Sequence, residues 1–100
     1  MKLVSIKPAT DDKHKYTAIF DIDGKSKTTQ FGAKSYNDYT IYSKQDKKIA
    51  EEKKEAYIAR HKVNEQFNNP TTAGALSRWI LWNKPTVKAS IADFKKRFNL

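Results

Sequence analysis

The sequence predicts an α+β fold in which a small three-stranded antiparallel sheet, N-terminal, is packed by two or three α-helices, C-terminal. Three observations predict it. Residues Tyr16 to Ile22 alternate between apolar and other side chains and run into Asp23-Gly24, the pairing that favours a two-residue hairpin. Residues from Lys47 onward are rich in helix formers. At 100° per residue, Val87, Ile91, Phe94 and Phe98 fall on one narrow stripe of a helix.

In order along the chain, Leu3 to Lys7 reads as a short β-branched strand ended by Pro8, and the polar segment Lys7–Lys15 as a turn. Tyr16–Ile22 and Lys25–Phe31 read as the two arms of the hairpin, with Gly32 closing the second. Residues 34–46 read as a connector in which Tyr36, Tyr39 and Tyr42 recur every third position. These rings are expected to cover the edge of the core, or to meet a partner.

Lys47–Phe67 reads as a charged helix. Lys48–Glu52 and Glu51–Lys54 have the spacing of helix-surface ion pairs, and Ile49, Ala56, Val63 and Phe67 form a thin apolar stripe beside Tyr57 and His61. A helix this polar is expected to project from the body. Asn69 or Thr71 is expected to cap the next helix, Thr72–Trp82, with Pro70 in its first turn. That helix holds Leu76, Trp79 and Ile80 on adjoining positions and reads as the central core helix. The last helix, Thr86–Phe98, places three bases in its final turn, where they oppose the helix dipole.

One hundred residues support one domain and one modest core (1–33 meander, 34–46 connector, 47–100 helical part). Twelve per cent aromatic residues argue against a disordered basic tail. The Met1–Lys15 stretch is too poor in apolar residues for a signal peptide, and no run approaches a membrane span. With no cysteine there is no disulfide or thiolate chemistry, which fits an intracellular or intravirion setting. His14 and His61 do not have ligand spacing, and Asp21-Ile22-Asp23-Gly24 lacks the glutamate of a calcium loop, since its twelfth position is Gly32. No nucleotide-binding or hydrolase motif is present. The expectation is a protein without enzymatic activity, cofactor or metal.

Net charge is +9, and the bases are unevenly spread. Residues 56–100 hold eight bases, including all three arginines, against only Glu65 and Asp93. Arg60, Lys62, Arg78, Lys84, Lys88, Lys95, Lys96 and Arg97 are therefore the expected nucleic-acid contacts. Cations supply phosphate contacts, and the aromatics among them suit stacking on bases. DNA or a nucleoprotein is the expected partner. The competing expectation is a protein-interaction or assembly module that meets acidic viral or host proteins or a second copy of itself, with Tyr36, Tyr39, Tyr42 and Trp82 as interface residues. Simple solubility explains the charge as well.

One stretch adds a resemblance. Thr72-Ala73-Gly74-Ala75-Leu76-Ser77-Arg78-Trp79-Ile80-Leu81-Trp82-Asn83-Lys84-Pro85-Thr86, with Ala89–Asp93 and Lys95–Phe98, resembles a family of short basic proteins, a domain of unknown function, from nucleocytoplasmic large DNA viruses. Lys15-Tyr16, Phe31-Gly32-Ala33, Ser35-Tyr36, Asp38-Tyr39-Thr40 and Tyr57–Lys62 agree with it. The resemblance spans residues 15–99 and is most specific over 70–98. It implies a viral setting (virion, cytoplasmic virus factory or host nucleus) and supplies no mechanism.

Overall fold

A computed structural model describes all 100 residues. Three strands, β1 (Lys2–Pro8), β2 (His14–Ile22) and β3 (Lys25–Ala33), form an antiparallel meander in the order β1-β2-β3. Asp23 and Gly24 both take positive φ (53° and 81°), as the tight hairpin requires. The Asp21 side chain accepts the Gly24 amide at 3.0 Å. Phe20 pairs with Lys27, Ala18 with Thr29 and Tyr16 with Phe31, which puts Phe20, Ala18 and Phe31 on the covered face. β3 does not end at Gly32 as expected. It continues to Ala33, with Gly32 at φ 80°, and a Cβ there would lie 2.6 Å from Leu81 Cδ1.

The tyrosine connector is a helix in part. α1 (Tyr39–Gln45) starts on Asp38, whose carboxylate accepts the Thr40 and Ile41 amides. Asp46 ends α1 and caps α2 (Lys47–His61) by accepting the Lys48 and Ile49 amides. α2 stops six residues short of the expected Phe67. The stripe assumed for it is not its buried face: Ile49 and Val63 are exposed, whereas Ala50 and Tyr57 are buried. Neither expected ion pair closes. Glu51 instead accepts the Tyr39 hydroxyl, and Lys54 Nζ donates to the Asn83 carbonyl at 2.8 Å.

Thr72, rather than Asn69 or Thr71, caps α3 (Ala73–Leu76) through the Ala75 amide. Asn69 instead holds the Thr71 amide and hydroxyl, which seats Thr71 against β3, where its carbonyl accepts the Thr29 hydroxyl at 2.7 Å. The helix expected over Thr72–Trp82 runs unbroken from Ala73 to Leu81, but its second half is not α. α3 passes into a π-helical segment (Ser77–Leu81) closed by the Trp82 amide on the Ser77 carbonyl. The wider turn inserts an extra residue. Leu76, Ile80 and Leu81 are all buried, and Trp82, packed at the edge of the core, stacks on Tyr57 of α2. α4 (Val87–Arg97) is capped by Thr86 and lays Phe94 into the core, with Val87, Ile91 and Phe98 packed around it.

The core is thus Ala18, Phe20 and Phe31 from the sheet against Leu76, Ile80, Leu81 and Phe94 from the C-terminal helices. α2 packs chiefly on α1 and extends the molecule to 43 × 26 × 25 Å. It is tied to the body by the Tyr57–Trp82 stack and by Lys54 on Asn83, which leaves a cleft between α2 and the π segment.

Candidate nucleic-acid interface

The cleft encloses about 570 Å³ and is lined from the end of β3, the Tyr36–Asp38 turn, α2 and the π segment. α2 is responsible for its chemistry. Lys53, Tyr57 and His61 are spaced by four, so one helix face presents all three to the cavity. The chain continues that line past the helix end, with the Glu65 amide on the His61 carbonyl at 2.9 Å. The Tyr57 ring lies parallel to Trp82 (centroids 4.5 Å apart, 5°) and stacks with His61 at 4.2 Å, while Tyr42 tilts against Trp82. Burial raises the Tyr57 hydroxyl pKa well above the usual phenol range, so the ring is neutral at any ordinary pH.

Two carboxylates line the cleft and differ sharply. Asp38 is saturated. Lys15 Nζ donates to it at 2.6 Å, with the two side chains only 13% and 3% exposed, and the Thr40 amide, Thr40 hydroxyl and Ile41 amide complete its shell. Glu65 is not. Its Oε1 lies 3.3 Å from His61 Nδ1, and its Oε2 is buried without any donor.

A basic cluster adjoins the cleft on the far side of Trp82. Arg78 donates to the Trp82 carbonyl at 2.6 Å and stands over the Trp79 ring, and Arg97 stands over the same ring with its carbon 3.7 Å from the centroid. Arg97 also pairs with Asp93, whose carboxylate accepts the Asn83 amide at 2.6 Å. Burial, then the nearby Arg97 charge, lowers the Arg78 pKa. Lys54 is lowered first by its burial and further by Arg78 and Lys84, against the opposing pull of Glu51. Lys54, Arg78, Lys84 and Arg97 therefore share one neighbourhood, with Asp93 and Glu51 as its acids.

The eight bases expected from the sequence fall into two groups. Arg60, Lys62, Lys84, Lys88, Lys95 and Lys96 are exposed and make no carboxylate pair. Arg78, half-buried, contacts Trp79 and Trp82, and Arg97, exposed, stands over Trp79 and pairs with Asp93. Of the aromatic interface residues, Tyr36 is 72% exposed at the cleft, Tyr42 and Trp82 are half-buried in its wall, and Tyr39 is buried and presents nothing to a partner. The sequence reading passed over Lys53 and Glu65 as site residues. The signal that points to them is the interval of four through Lys53, Tyr57, His61 and Glu65. No three His, Asp or Glu side chains gather as a metal site, and no helix is long and apolar enough to cross a membrane.

The fold and this site describe a small basic α+β protein with an aromatic cleft beside a cluster of cations. Comparison with protein-family models, curated proteins and solved structures finds no match to the chain.

Proposed function

We propose that this protein is a non-catalytic binder of nucleic acid, either DNA or a nucleoprotein. One observation carries the reading. Of twenty lysines and arginines, only Lys15 and Arg97 pair with a carboxylate, so eighteen positive charges are left without an acidic partner. Lys84, Lys88, Lys95 and Lys96 follow one another along the C-terminal segment, exposed, next to the Arg78–Arg97 cluster. Cations left unpaired on a surface are those available to displace counterions from a phosphate backbone. A binding role also suits the cleft, where the Asp38 carboxylate is fully occupied by structural donors. The resemblance to proteins of large DNA viruses supplies a setting for the proposal, a virion or virus-factory component in contact with the viral genome.

A salt titration of binding to a labelled oligonucleotide tests it. If about five phosphates are neutralised, log affinity falls against log salt with a slope near −4.5. Lys95→Ala with Lys96→Ala removes two exposed charges without touching the core, and the slope should fall to about −2.7. Absence of binding at low salt overturns the proposal. An unchanged slope in the double variant removes Lys95 and Lys96 from the contact.

A further inference from the structure

The sheet has two free edges, and they are not alike. β2 lies between β1 and β3, so each outer strand has one side without a neighbouring strand. A bare edge is a template for another strand, and proteins guard it with bulges, proline, short strands or lysine side chains. β1 carries guards in its backbone. Its register slips between Leu3 and Ser5, and it ends at Pro8, which has no N–H to offer. β3 carries none. It pairs regularly with β2 from Lys25 to Phe31, holds no proline, and is exposed from Lys25 to Thr28 and again at Gln30.

The register fixes which backbone groups of β3 look outward. The two-residue turn closes on the pair Ile22–Lys25, and bonded pairs alternate from there. Lys25, Lys27 and Thr29 therefore direct their N–H and C=O groups to β2, and those of Ser26, Thr28 and Gln30 point away from it. The far side of β2 agrees. Asp21, Ile19 and Thr17, which face those three residues, are the ones paired with Lys2, Ser5 and Lys7 of β1. No loop takes up the outward groups, since no backbone bond outside the sheet involves Ser26, Thr28 or Gln30. Only the Lys27 and Thr29 side chains reach out of this part of the strand, both to Thr71.

What guards this edge is charge alone. Lys25 and Lys27 flank Ser26, and neither meets a carboxylate; Lys27 Nζ reaches the Thr71 hydroxyl at 3.4 Å. An added antiparallel strand bonded to Ser26 and Thr28 leaves Lys25 and Lys27 at the positions where facing side chains come closest. A second copy of this chain brings the same two lysines and a net charge of +9, so it is repelled. A strand with carboxylates at those positions is attracted, and opposite charges facing across a ladder stabilise it. A nucleic-acid strand has no ladder of amide N–H and C=O groups to give. The guard therefore excludes self-pairing and admits a partner of opposite charge.

We propose that the β3 edge binds an extended acidic segment of a partner protein as a fourth strand, its backbone on Ser26, Thr28 and Gln30 and its carboxylates, at alternate positions, opposite Lys25 and Lys27. This adds a protein partner to the nucleic-acid reading, on an element that reading does not use, so the two stand or fall separately.

Amide exchange followed by NMR tests it. The probe is a capped peptide of alternating glutamate and threonine, as long as β3, and its lysine–threonine counterpart is the control. In the free protein the Ser26, Thr28 and Gln30 amides should exchange fast while those of Lys27 and Thr29 are protected. The acidic peptide should slow exchange at Ser26, Thr28 and Gln30 and leave Leu3 and Ile6 unchanged, and the lysine peptide should slow none. Thr28→Pro removes an outward N–H and no internal hydrogen bond, so the fold, checked by circular dichroism, is kept while affinity for the acidic peptide falls about tenfold. Lys25→Glu with Lys27→Glu should transfer binding to the lysine peptide, and this variant decides the matter with the exchange data if Thr28→Pro does not fold. An acidic peptide that binds without slowing the three amides, or that binds folded Thr28→Pro as tightly as the parent, is held by charge alone and overturns the fourth strand. Equal binding of the two peptides, or an unchanged preference in the double variant, overturns the role of Lys25 and Lys27. No binding of the acidic peptide at low salt overturns the whole proposal.

Discussion

Replacing Asp38 should be among the most damaging single changes outside the apolar core. Its carboxylate does two jobs at once: Oδ1 caps α1 through Thr40 and Ile41, and Oδ2 takes the Lys15 ammonium at 2.6 Å in a pocket where Asp38 is 3% exposed. Loss of an N-cap costs about 1 kcal/mol. Removing one member of a buried ion pair costs about 3–5 kcal/mol, because the other charge stays behind without compensation. Lys15 is 13% exposed and keeps some access to water, so the low end applies, and Asp38→Ala should cost about 4 kcal/mol in all. For a domain of this size that is a fall in Tm of roughly 20 °C. Asp38→Asn keeps a capping oxygen and should cost about 3 kcal/mol. Lys15→Met should cost less, about 2 kcal/mol, since three donors still hold the carboxylate. Urea denaturation followed by far-UV dichroism and by tryptophan fluorescence measures each value. The double variant Lys15→Met, Asp38→Asn should lose about 1–2 kcal/mol less than the sum of the two singles. If Asp38→Asn costs under about 1 kcal/mol, or the two singles simply add, the pair is not the buried strut described above.

Two further outcomes follow from particular residues. Gly32→Ala combines a positive φ with a Cβ 2.6 Å from Leu81 Cδ1 and should destabilise by about 3 kcal/mol, whereas Gly24→Ala, with a positive φ and nothing within 4 Å, should cost only about 1 kcal/mol by the same denaturation assay. The Asn83 amide, then Arg97, hold the Asp93 pKa below the usual carboxylate range. A group depressed in the folded state stabilises above its unfolded pKa, near 4, and that stabilisation is lost as pH falls through the folded value. Stability measured from pH 5 down to pH 2 should therefore fall less steeply in Asp93→Asn than in the parent.

Much of the architecture is legible because short-range rules govern it. The Asp23-Gly24 hairpin, the alternation of β2 and the stripe of α4 each follow from local periodicity, and each stands in the structure. The charged segment was misread for a physical reason. Its apolar residues are so few that two stripes compete, one through Ile49, Ala56 and Val63 and another through Ala50, Tyr57 and His61. Only a partner for one face settles the choice. Trp82 is that partner, and the π turn that points it at Tyr57 is not signalled by any residue type in Ser77–Leu81. α1 escapes a sequence reading because its first four residues, Tyr39, Thr40, Ile41 and Tyr42, all have weak helix propensity. What makes it helical is Asp38, held in place by Lys15 from a distant strand.

By itself, the sequence determined the α+β class, the meander, the position and core face of the last helix, and the excess of cations after residue 56. Tertiary structure alone decided which cations are free. Arg78 and Arg97 read like their neighbours along the chain, yet folding sets both guanidinium groups over the Trp79 ring, a contact that no local pattern signals. It also decided that Glu65 would face the aromatic wall with one oxygen unanswered. Charge and periodicity are properties of the chain and are read directly from it. Whether a given charge is paired, stacked or left open depends on which distant residue folding brings beside it: Asp38 for Lys15 and the Trp79 ring for Arg97.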